Sequence, residues 1–183
     1  MKKGKERRVF KGVTFTAYQW RQQLYDGSWA LFERIERPSV ALFLPVVGKK
    51  VVMAIEEQPM FGRTPGMLGG VIEEGEKALD AAKRELLEEA GMTARKWKLI
   101  KEYRYTGRML YTLHLFAAID CRKVAEQKLD PGEKIEIRQV TLQKFLSMVK
   151  GMRLDDKIKL DFLEARYVPA KLKMLERMLG MRR

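Results

Sequence analysis

The sequence predicts a single α+β domain that carries a small antiparallel sheet at its N-terminus. Strand-like segments lie on both sides of one central helical segment, and further helical segments close the chain, which is not the regular alternation of a βαβ fold. The 183 residues suit one domain, and their hydrophobic fraction of 46% is sufficient for a sizeable core. The single cysteine, Cys121, rules out an intramolecular disulfide and is typical of a protein of the reducing cytoplasm.

The first third of the chain is predicted to consist of strands. Apolar and polar residues alternate with a period of two in residues 13–18 and 29–35, on either side of an Asp-Gly turn. Two apolar runs, 40–47 and 51–55, flank a Gly-Lys-Lys turn and predict a hairpin of buried strands. The following residues, 59–70, are rich in Gly and Pro and predict a loop.

The rest of the chain begins with a helix and ends with helices. Residues 77–90 are good helix formers throughout, and Gly91 stands where a C-terminal cap glycine belongs. Thr141 is the expected N-cap of a helix whose apolar residues recur at helical spacing, and Gly151 is its expected end. The remaining predicted elements are strands at 98–105, 110–119 and 134–140, and one or two amphipathic helices at 155–167 and 171–179.

The chain is strongly basic, with 37 Lys and Arg residues against 24 Asp and Glu residues and a formal net charge of +13. These charges are spread along the chain, and no RNP-like or zinc-finger pattern accompanies them. We therefore interpret them as a solvated surface, with attraction of polyphosphate substrates as the alternative, and expect no nucleic-acid partner. No apolar run approaches the roughly 20 residues that a membrane span needs, so no membrane association is expected.

Three glutamates of the central helix carry the strongest chemical signal. Glu85, Glu88 and Glu89 stand at i, i+3 and i+4, so their carboxylates crowd one face and repel each other unless a cation neutralises them. The alternative is a solvated acidic face. Glycines in the preceding loop, Gly69, Gly70 and Gly75, allow a backbone carbonyl to approach the same ion or backbone amides to approach a phosphate. One histidine in the whole chain excludes a multi-His zinc site, so a metal here must be hard and oxygen-ligated.

Residues 70–92, GVIEEGEKALDAAKRELLEEAGM, resemble a complete Nudix box, with every defining position at the correct spacing. The resemblance implies the Nudix fold, an α/β/α sandwich around a mixed β-sheet, and hydrolysis of a nucleoside diphosphate linked to another moiety. It also implies Mg²⁺, with Mn²⁺ as a possible substitute, bound by Glu85, Glu89 and the backbone carbonyl of Gly69. By the same resemblance Glu88 is a further or water-mediated ligand, and Arg84 holds the glutamates through ion pairs.

The wider chain is similar to the ADP-ribose and ADP-sugar pyrophosphatases. This resemblance implies a homodimer in which residues 1–37 form an exchanged N-terminal β element and residues 38–183 form the hydrolase domain. The positions that match substrate-binding residues are Trp29, expected to stack on adenine, Arg34, expected to reach the diphosphate, Gln58, and Arg63 as the nearest candidate for an arginine usual after that glutamine. Glu133 matches the general base, with Glu136 as the alternative.

The predicted reaction is the Mg²⁺-dependent hydrolysis of a nucleoside diphosphate sugar, with ADP-ribose giving AMP and ribose 5-phosphate. Two departures from the subgroup, Pro59-Met60 after Gln58 and Thr106-Gly107 in place of a Pro-Gly pair, leave other substrates open. These are GDP-mannose or another nucleotide sugar, dinucleoside polyphosphates, mRNA caps and oxidised nucleotides. A non-catalytic nucleotide- or RNA-binding protein on the same scaffold is the remaining alternative.

Overall fold

A computed structural model describes residues 1–60 and 62–181. These residues form a mixed β-sheet with helices on both of its faces. The strands are β1 (Arg7–Lys11), β2 (Thr16–Gln23), β3 (Trp29–Glu36), β4 (Val40–Val47), β5 (Lys50–Gln58), β6 (Gly62–Gly66), β7 (Leu68–Val71), β8 (Met92–Thr106), β9 (Met109–Lys123) and β10 (Lys134–Val140). The helices are α1 (Ala78–Ala90), α2 (Leu142–Met148), α3 (Asp156–Tyr167) and α4 (Pro169–Met178), with a 3-10 turn at Val149–Gly151.

The sheet runs in the order β1-β2-β3-β9-β4-β5-β10, and three further strands pair beside this path. At its centre β4 is parallel to β9 and antiparallel to β7, while β6 pairs with β5 and β8 pairs with β9. The parallel and antiparallel pairs together make the sheet mixed. The strand β7, which leads into α1, therefore lies directly against the most buried strand of the protein.

Two hydrophobic clusters lie on opposite faces of this sheet because side chains alternate along each strand. On β4, Phe43 packs into the cluster that contains Leu86 of α1. Its neighbour Leu44 packs into the other cluster, with Phe145 of α2 and Phe162 of α3. The resulting layers are helix, sheet and helices, which confirms the α/β/α sandwich around a mixed sheet that the resemblance implies.

The N-terminal strands β1, β2 and β3 form an antiparallel sheet, as predicted, that joins the rest through a short parallel contact. That contact pairs Ile35 with Met109 and Glu36 with Leu110. The strand predicted at 13–18 begins only at Thr16, and residues 7–11, which were not predicted as a strand, form β1. The reason is a turn in which the amide of Gly12 donates to the carbonyl of Phe15 (2.9 Å).

The prediction of a loop at 59–70 was wrong, because two strands form in this segment. The first, β6, pairs with β5, and the second, β7, pairs with β4, so their backbone groups find hydrogen-bond partners that sequence patterns do not reveal. The predicted hairpin of β4 and β5, the helix α1 and the strand β10 are confirmed. So is the N-cap of α2, where Thr141 Oγ1 accepts from the amide of Lys144 (3.1 Å). In the described part of the chain no helix is long and apolar enough to cross a membrane.

Candidate active site

The helix α1 presents its glutamates to one side because its other side is anchored in the core. Ala81, Ala82 and Leu86 are fully buried against the sheet, and their spacing fixes the rotation of the helix. The helix ends at Gly91, whose φ of 62° is left-handed and whose amide donates to the carbonyl of Leu87 (2.9 Å). This anchoring directs Glu85 and Glu89 toward the strand β7, while Glu88 contacts Arg84.

Two glycines on β7 allow the strand to lie this close to the helix. A Cβ on Gly70 would lie 2.0 Å from Oε1 of Glu85, and one on Gly69 would lie 2.2 Å from the carbonyl oxygen of Ala41. Gly69 also has a φ of 142°, which disfavours other residues. Its amide donates to Oε2 of Glu89 (2.8 Å). Gly69 is therefore required by the backbone of β4, whereas a side chain at Gly70 would displace the carboxylate of Glu85.

Arg84 lies at the centre of the carboxylates. Its guanidinium binds both oxygens of Glu76 (3.1 Å each), Oε1 of Glu85 (2.7 Å) and Oε2 of Glu88 (3.0 Å), and it donates to the carbonyl of Val71 (3.0 Å). The hydrogen bonds with Glu76, above all, raise the pKa of the guanidinium, and the same contact lowers the pKa of Glu76. Arg84 thus links Glu76, at the start of the motif, to two of the three helix glutamates.

Glu89 is the buried carboxylate of the group, with 9% of its surface exposed. Its pKa is raised to about 9, mainly by burial and in addition by the nearby charges of Glu85, Glu133 and Glu56, against the hydrogen bond from Gly69, which lowers it. Burial likewise raises the pKa of Glu85. A buried carboxylate surrounded by carboxylates is stable as an anion only beside a cation, and this is the electrostatic signature expected of a metal ligand.

Glu133 lies at the end of a turn directly before β10. The turn is closed by the Glu133 amide, which donates to the carbonyl of Asp130 (3.1 Å), and Gly132 takes a φ of 95°. Burial, together with the charges of Asp130 and Glu56, raises the pKa of Glu133. The turn therefore holds a half-buried carboxylate with raised proton affinity near Glu85 and Glu89.

The alternative base, Glu136, lies elsewhere. It is exposed on β10 and binds Arg63 and, at 2.7 Å, Arg138, and these contacts lower its pKa. Neither Glu136 nor Arg63 belongs to the described lining of the cleft. Of the two carboxylates nominated as base, the structure brings only Glu133 to the helix glutamates.

The glutamates open into a cleft with two adjoining parts. The smaller part, about 320 Å³, is lined by the motif, including Arg84, Glu85 and Glu88. The larger part, about 540 Å³, extends along β4 and β5. The residues shared by both parts are Gly69, Gly70, Val71, Glu89 and Glu133. The buried glutamate and the half-buried glutamate therefore lie at the junction between a carboxylate-rich chamber and a larger one.

The other substrate-binding candidates divide between the cleft and the N-terminal sheet. Gln58 lines the larger part of the cleft, and its side-chain amide donates to Oε1 of Glu56. Trp29 lies on the N-terminal sheet with 41% of its surface exposed, outside the described lining of the cleft. Arg34 is also outside it and pairs with Glu6 (2.6 Å). Within one chain, the N-terminal candidates do not reach the glutamates.

The larger part is also lined by charged and aromatic residues that were not nominated as site residues from the sequence, among them Arg37, Glu56, Tyr111, Arg153 and Asp155. They come from β5, β9 and two connecting segments far apart in the chain, so no local motif marks them. Tyr111 stacks on Tyr105 with ring centroids 4.4 Å apart, and the guanidinium of Arg37 lies 4.8 Å from the centre of the Tyr111 ring. An aromatic side chain and two arginines thus line a cleft that is otherwise rich in carboxylates.

The donor set at the helix glutamates fits a hard divalent cation. The carboxylates of Glu85, Glu88 and Glu89 are oxygen donors of the kind such a cation takes, and the buried Glu89 requires a compensating charge. Within residues 1–60 and 62–181, no three carboxylate, histidine or cysteine side chains already converge around an ion-sized space. Arg84 holds Glu85 and Glu88 instead, so an ion at this position shares these two carboxylates with the guanidinium.

Comparisons with known proteins agree with this geometry. A family model described as NUDIX domain matches residues 36–161, a range that contains the whole described lining of the cleft. The ADP-ribose pyrophosphatase of Bacillus subtilis (strain 168) is 28% identical over 152 residues, covering 81% of this chain and 82% of that protein. A solved structure described as that of an ADP compounds hydrolase matches with a TM-score of 0.70 at 21% identity, over 97% of this chain and 93% of that chain.

Proposed function

Because the chain belongs to the Nudix family and is a Nudix pyrophosphohydrolase, we propose that it hydrolyses a nucleoside diphosphate sugar, with ADP-ribose as the substrate. The products are AMP and ribose 5-phosphate, and the metal is Mg²⁺, with Mn²⁺ as a substitute. The similarity to the ADP-ribose pyrophosphatase supports this choice over GDP-mannose, dinucleoside polyphosphates and caps.

The observation that carries the proposal is the shape and charge of the two-part cleft. A carboxylate-rich chamber suits a metal-bound diphosphate, and the adjoining space of about 540 Å³ is large enough for the nucleoside or sugar attached to it. The scissile bond then lies at the junction, beside Glu89 and Glu133. A solvated acidic helix face, the alternative considered from the sequence, would not bury Glu89 or bring the carboxylate of Glu85 into contact with Gly70.

Glu133 and Arg84 have different roles in this reaction. A water molecule attacks one phosphorus of the diphosphate, the bond from that phosphorus to the bridging oxygen breaks, and Glu133 accepts the proton of the water. The raised pKa of Glu133 suits a carboxylate that must hold a proton transiently. Arg84 keeps Glu85 and Glu88 in position, which preserves the geometry of the chamber.

Glu85, Glu88, Glu89 and the carbonyl of Gly69 are the groups proposed to hold the metal. When bound, Mg²⁺ neutralises the pyrophosphate oxygens and lowers the pKa of a coordinated water. Around it, the apolar residues under α1 keep the helix fixed, and Glu89 is kept away from bulk water. The chain thereby supplies a rigid, partly dry set of oxygen ligands.

A substrate panel tests the proposal. Purified protein with Mg²⁺ is incubated with ADP-ribose, GDP-mannose, a dinucleoside polyphosphate, a cap analogue and an oxidised nucleotide, and the products are separated chromatographically. We expect the highest kcat/KM for ADP-ribose and equal amounts of AMP and ribose 5-phosphate. A higher kcat/KM for another compound would replace ADP-ribose as the substrate.

Variants identify the residues responsible. Glu85→Gln and Glu89→Gln should lower kcat by about 10²-fold or more, because each removes a charge from the proposed metal site. Glu133→Gln should lower kcat by about 10²- to 10⁴-fold, which is the usual contribution of a general base. The matched control is Glu126→Gln, an exposed carboxylate outside the described cleft lining, with 91% of its side chain exposed. Retention of normal turnover by either metal-site variant would contradict the ligand assignment.

We also propose that residues 1–37 exchange between the two chains of a homodimer. The strand pairing between this sheet and the rest of its own chain is short, joining Ile35 to Met109 and Glu36 to Leu110, and the sheet carries exposed apolar residues such as Leu31 (58%). In a dimer, Trp29 and Arg34 would serve the cleft of the second chain. Light scattering should give a mass near twice that of one chain, whereas a strict monomer would remove this role for both residues.

We propose a cytoplasmic location from the state of the only cysteine. Cys121 is buried and free, and burial raises the pKa of its thiol to about 11. A buried neutral thiol is unreactive and does not readily form a disulfide. The state of Cys121 therefore fits a reducing compartment. Fractionation of the source cells with an antibody to this protein tests the location.

A further inference from the structure

The larger part of the cleft contains several carboxylates and few cations, although its proposed substrate is an anion. Glu56, Glu89, Glu133 and Asp155 all belong to its lining. Within residues 1–60 and 62–181, Arg37 and Arg153 are its two basic residues. An anionic substrate that extends into this part of the cleft meets protein cations at these two positions.

The backbone on both sides of Arg153 is held in place by its neighbours in the chain. The residue before it, Met152, is buried at 2% exposure. Two residues after it, Asp155 caps α3 by accepting from the amide of Lys157 (2.9 Å) and also accepts from the hydroxyl of Tyr105. The backbone at Arg153 is thus held on both sides, so its side chain starts from a defined place in the cleft wall.

The guanidinium of Arg153 is directed toward the reaction centre by a carboxylate. Its Nη2 lies 3.5 Å from Oε2 of Glu56, and the other oxygen of Glu56 accepts from Gln58. Glu56 lines the same part of the cleft as Glu89 and Glu133, which lie at the junction. Arg153 therefore lies beside the junction of the two parts of the cleft.

Arg37 is held at a different place. Its guanidinium lies against the face of Tyr111, whose other contact is the stacked ring of Tyr105. A cation engaged with an aromatic face is a weaker candidate for the diphosphate than one paired beside the buried glutamates. Arg37 instead lies against the aromatic wall that Tyr111 forms in the cleft.

We propose that Arg153 binds the diphosphate of the substrate and that Glu56 is the positioning residue that holds its guanidinium toward the junction. The inference rests on the proposed hydrolysis of a nucleoside diphosphate compound, and it adds the protein cation that recognises the diphosphate. A guanidinium carries five N–H donors in a planar fork, and this fork matches the oxygens of a phosphate.

The test compares Arg153→Ala, Arg153→Lys and Glu56→Gln with wild type. Loss of a charge-assisted bond should raise KM for ADP-ribose by about 10- to 100-fold in Arg153→Ala, with kcat changed far less. Arg153→Lys should recover part of the affinity because it keeps the charge but not the fork. Glu56→Gln should raise KM less than Arg153→Ala does. The control is Arg95→Ala, an exposed arginine paired with Asp120 outside the described cleft lining.

A binding measurement separates recognition from turnover. The dissociation constant of the non-hydrolysable α,β-methylene analogue of ADP-ribose, measured by calorimetry, should rise in parallel with KM. Unchanged KM and dissociation constant in Arg153→Ala, with an unchanged melting temperature, would overturn the inference. Should the panel select another diphosphate substrate, the assignment of ADP-ribose fails, and the same variants measured on that substrate still decide the role of Arg153.

Discussion

Replacing Glu89 by glutamine should stabilise the metal-free protein while it abolishes metal-dependent function. The side chain is buried, and burial among other carboxylates raises its pKa from the ordinary 4.5 to about 9. Without a metal, the folded protein can keep this residue only by protonating it or by burying an uncompensated charge. Glutamine is nearly the same size, is always neutral, and can still accept the amide of Gly69.

The magnitude follows from the proton linkage. An acid whose pKa is higher in the folded state contributes stability that is fully present below its unfolded pKa and is lost as pH rises toward the folded pKa. In this range the free energy of unfolding falls by about 1.4 kcal/mol per pH unit. The loss between pH 4.5 and pH 7 therefore reaches about 3 kcal/mol in wild type. We expect Glu89→Gln to recover about 1 to 3 kcal/mol at pH 7, since some of the gain is offset by desolvation of the amide.

Urea unfolding in the presence of EDTA measures this effect, followed by tryptophan fluorescence at several pH values from 5 to 9. The difference between Glu89→Gln and wild type should be small at pH 5 and should grow with pH. Glu126→Gln, an exposed carboxylate, should show neither the gain nor its pH dependence. An equal or lower stability of Glu89→Gln at pH 8 would refute the view that Glu89 is an uncompensated buried acid.

The same variant should respond differently to metal. Saturating Mg²⁺ should raise the melting temperature of wild type, since a ligand that binds only the folded state stabilises it. The response of Glu89→Gln should be much smaller. An equal response in both proteins would place the metal elsewhere.

Three further predictions follow from the contacts of α1. Arg84→Ala should lower kcat and weaken Mg²⁺ activation by about 10- to 100-fold, measured by metal titration, because the support of Glu85 and Glu88 is lost. Leu86→Ala should cost about 2 to 5 kcal/mol in urea unfolding, because this fully buried side chain anchors the helix. Gly91→Ala should cost at least about 1 to 2 kcal/mol, because the residue is left-handed and the added Cβ would lie 2.1 Å from the carbonyl oxygen of Ala125. A normal melting temperature in either of the last two variants would contradict the packing described.

Local patterns predicted the helix and its chemistry well. The capping glycine, the run of helix formers and the i, i+3, i+4 spacing of the glutamates are properties of a few neighbouring residues, so they can be read without a fold. The structure confirms the bounds of α1 to within one residue at Lys77. Arg84 contacts Glu76, Glu85 and Glu88, as an ion-pairing residue of the motif should.

Long-range pairing explains where the prediction failed. The segment from 59 to 70 contains the Gly and Pro residues of a loop, yet β6 and β7 form because β5 and β4 offer free backbone partners beside them. The same limitation applies to the cleft. Arg63 is close in sequence to Gln58 but pairs with Glu136 on the outer side of β10, whereas Arg153, almost 100 residues away, reaches Glu56.

The sequence by itself determined the reaction class, because the residues that would hold a metal are almost all contained in one helix and the strand before it. It did not determine what else lines the cleft. Only the tertiary structure brings Arg37, Glu56, Tyr111 and Arg153 together, since they lie on segments that are distant in the chain and are adjacent only across the folded sheet. The burial of Glu89, and with it the raised pKa, also depends on that packing, because a carboxylate on an isolated helix would remain in water.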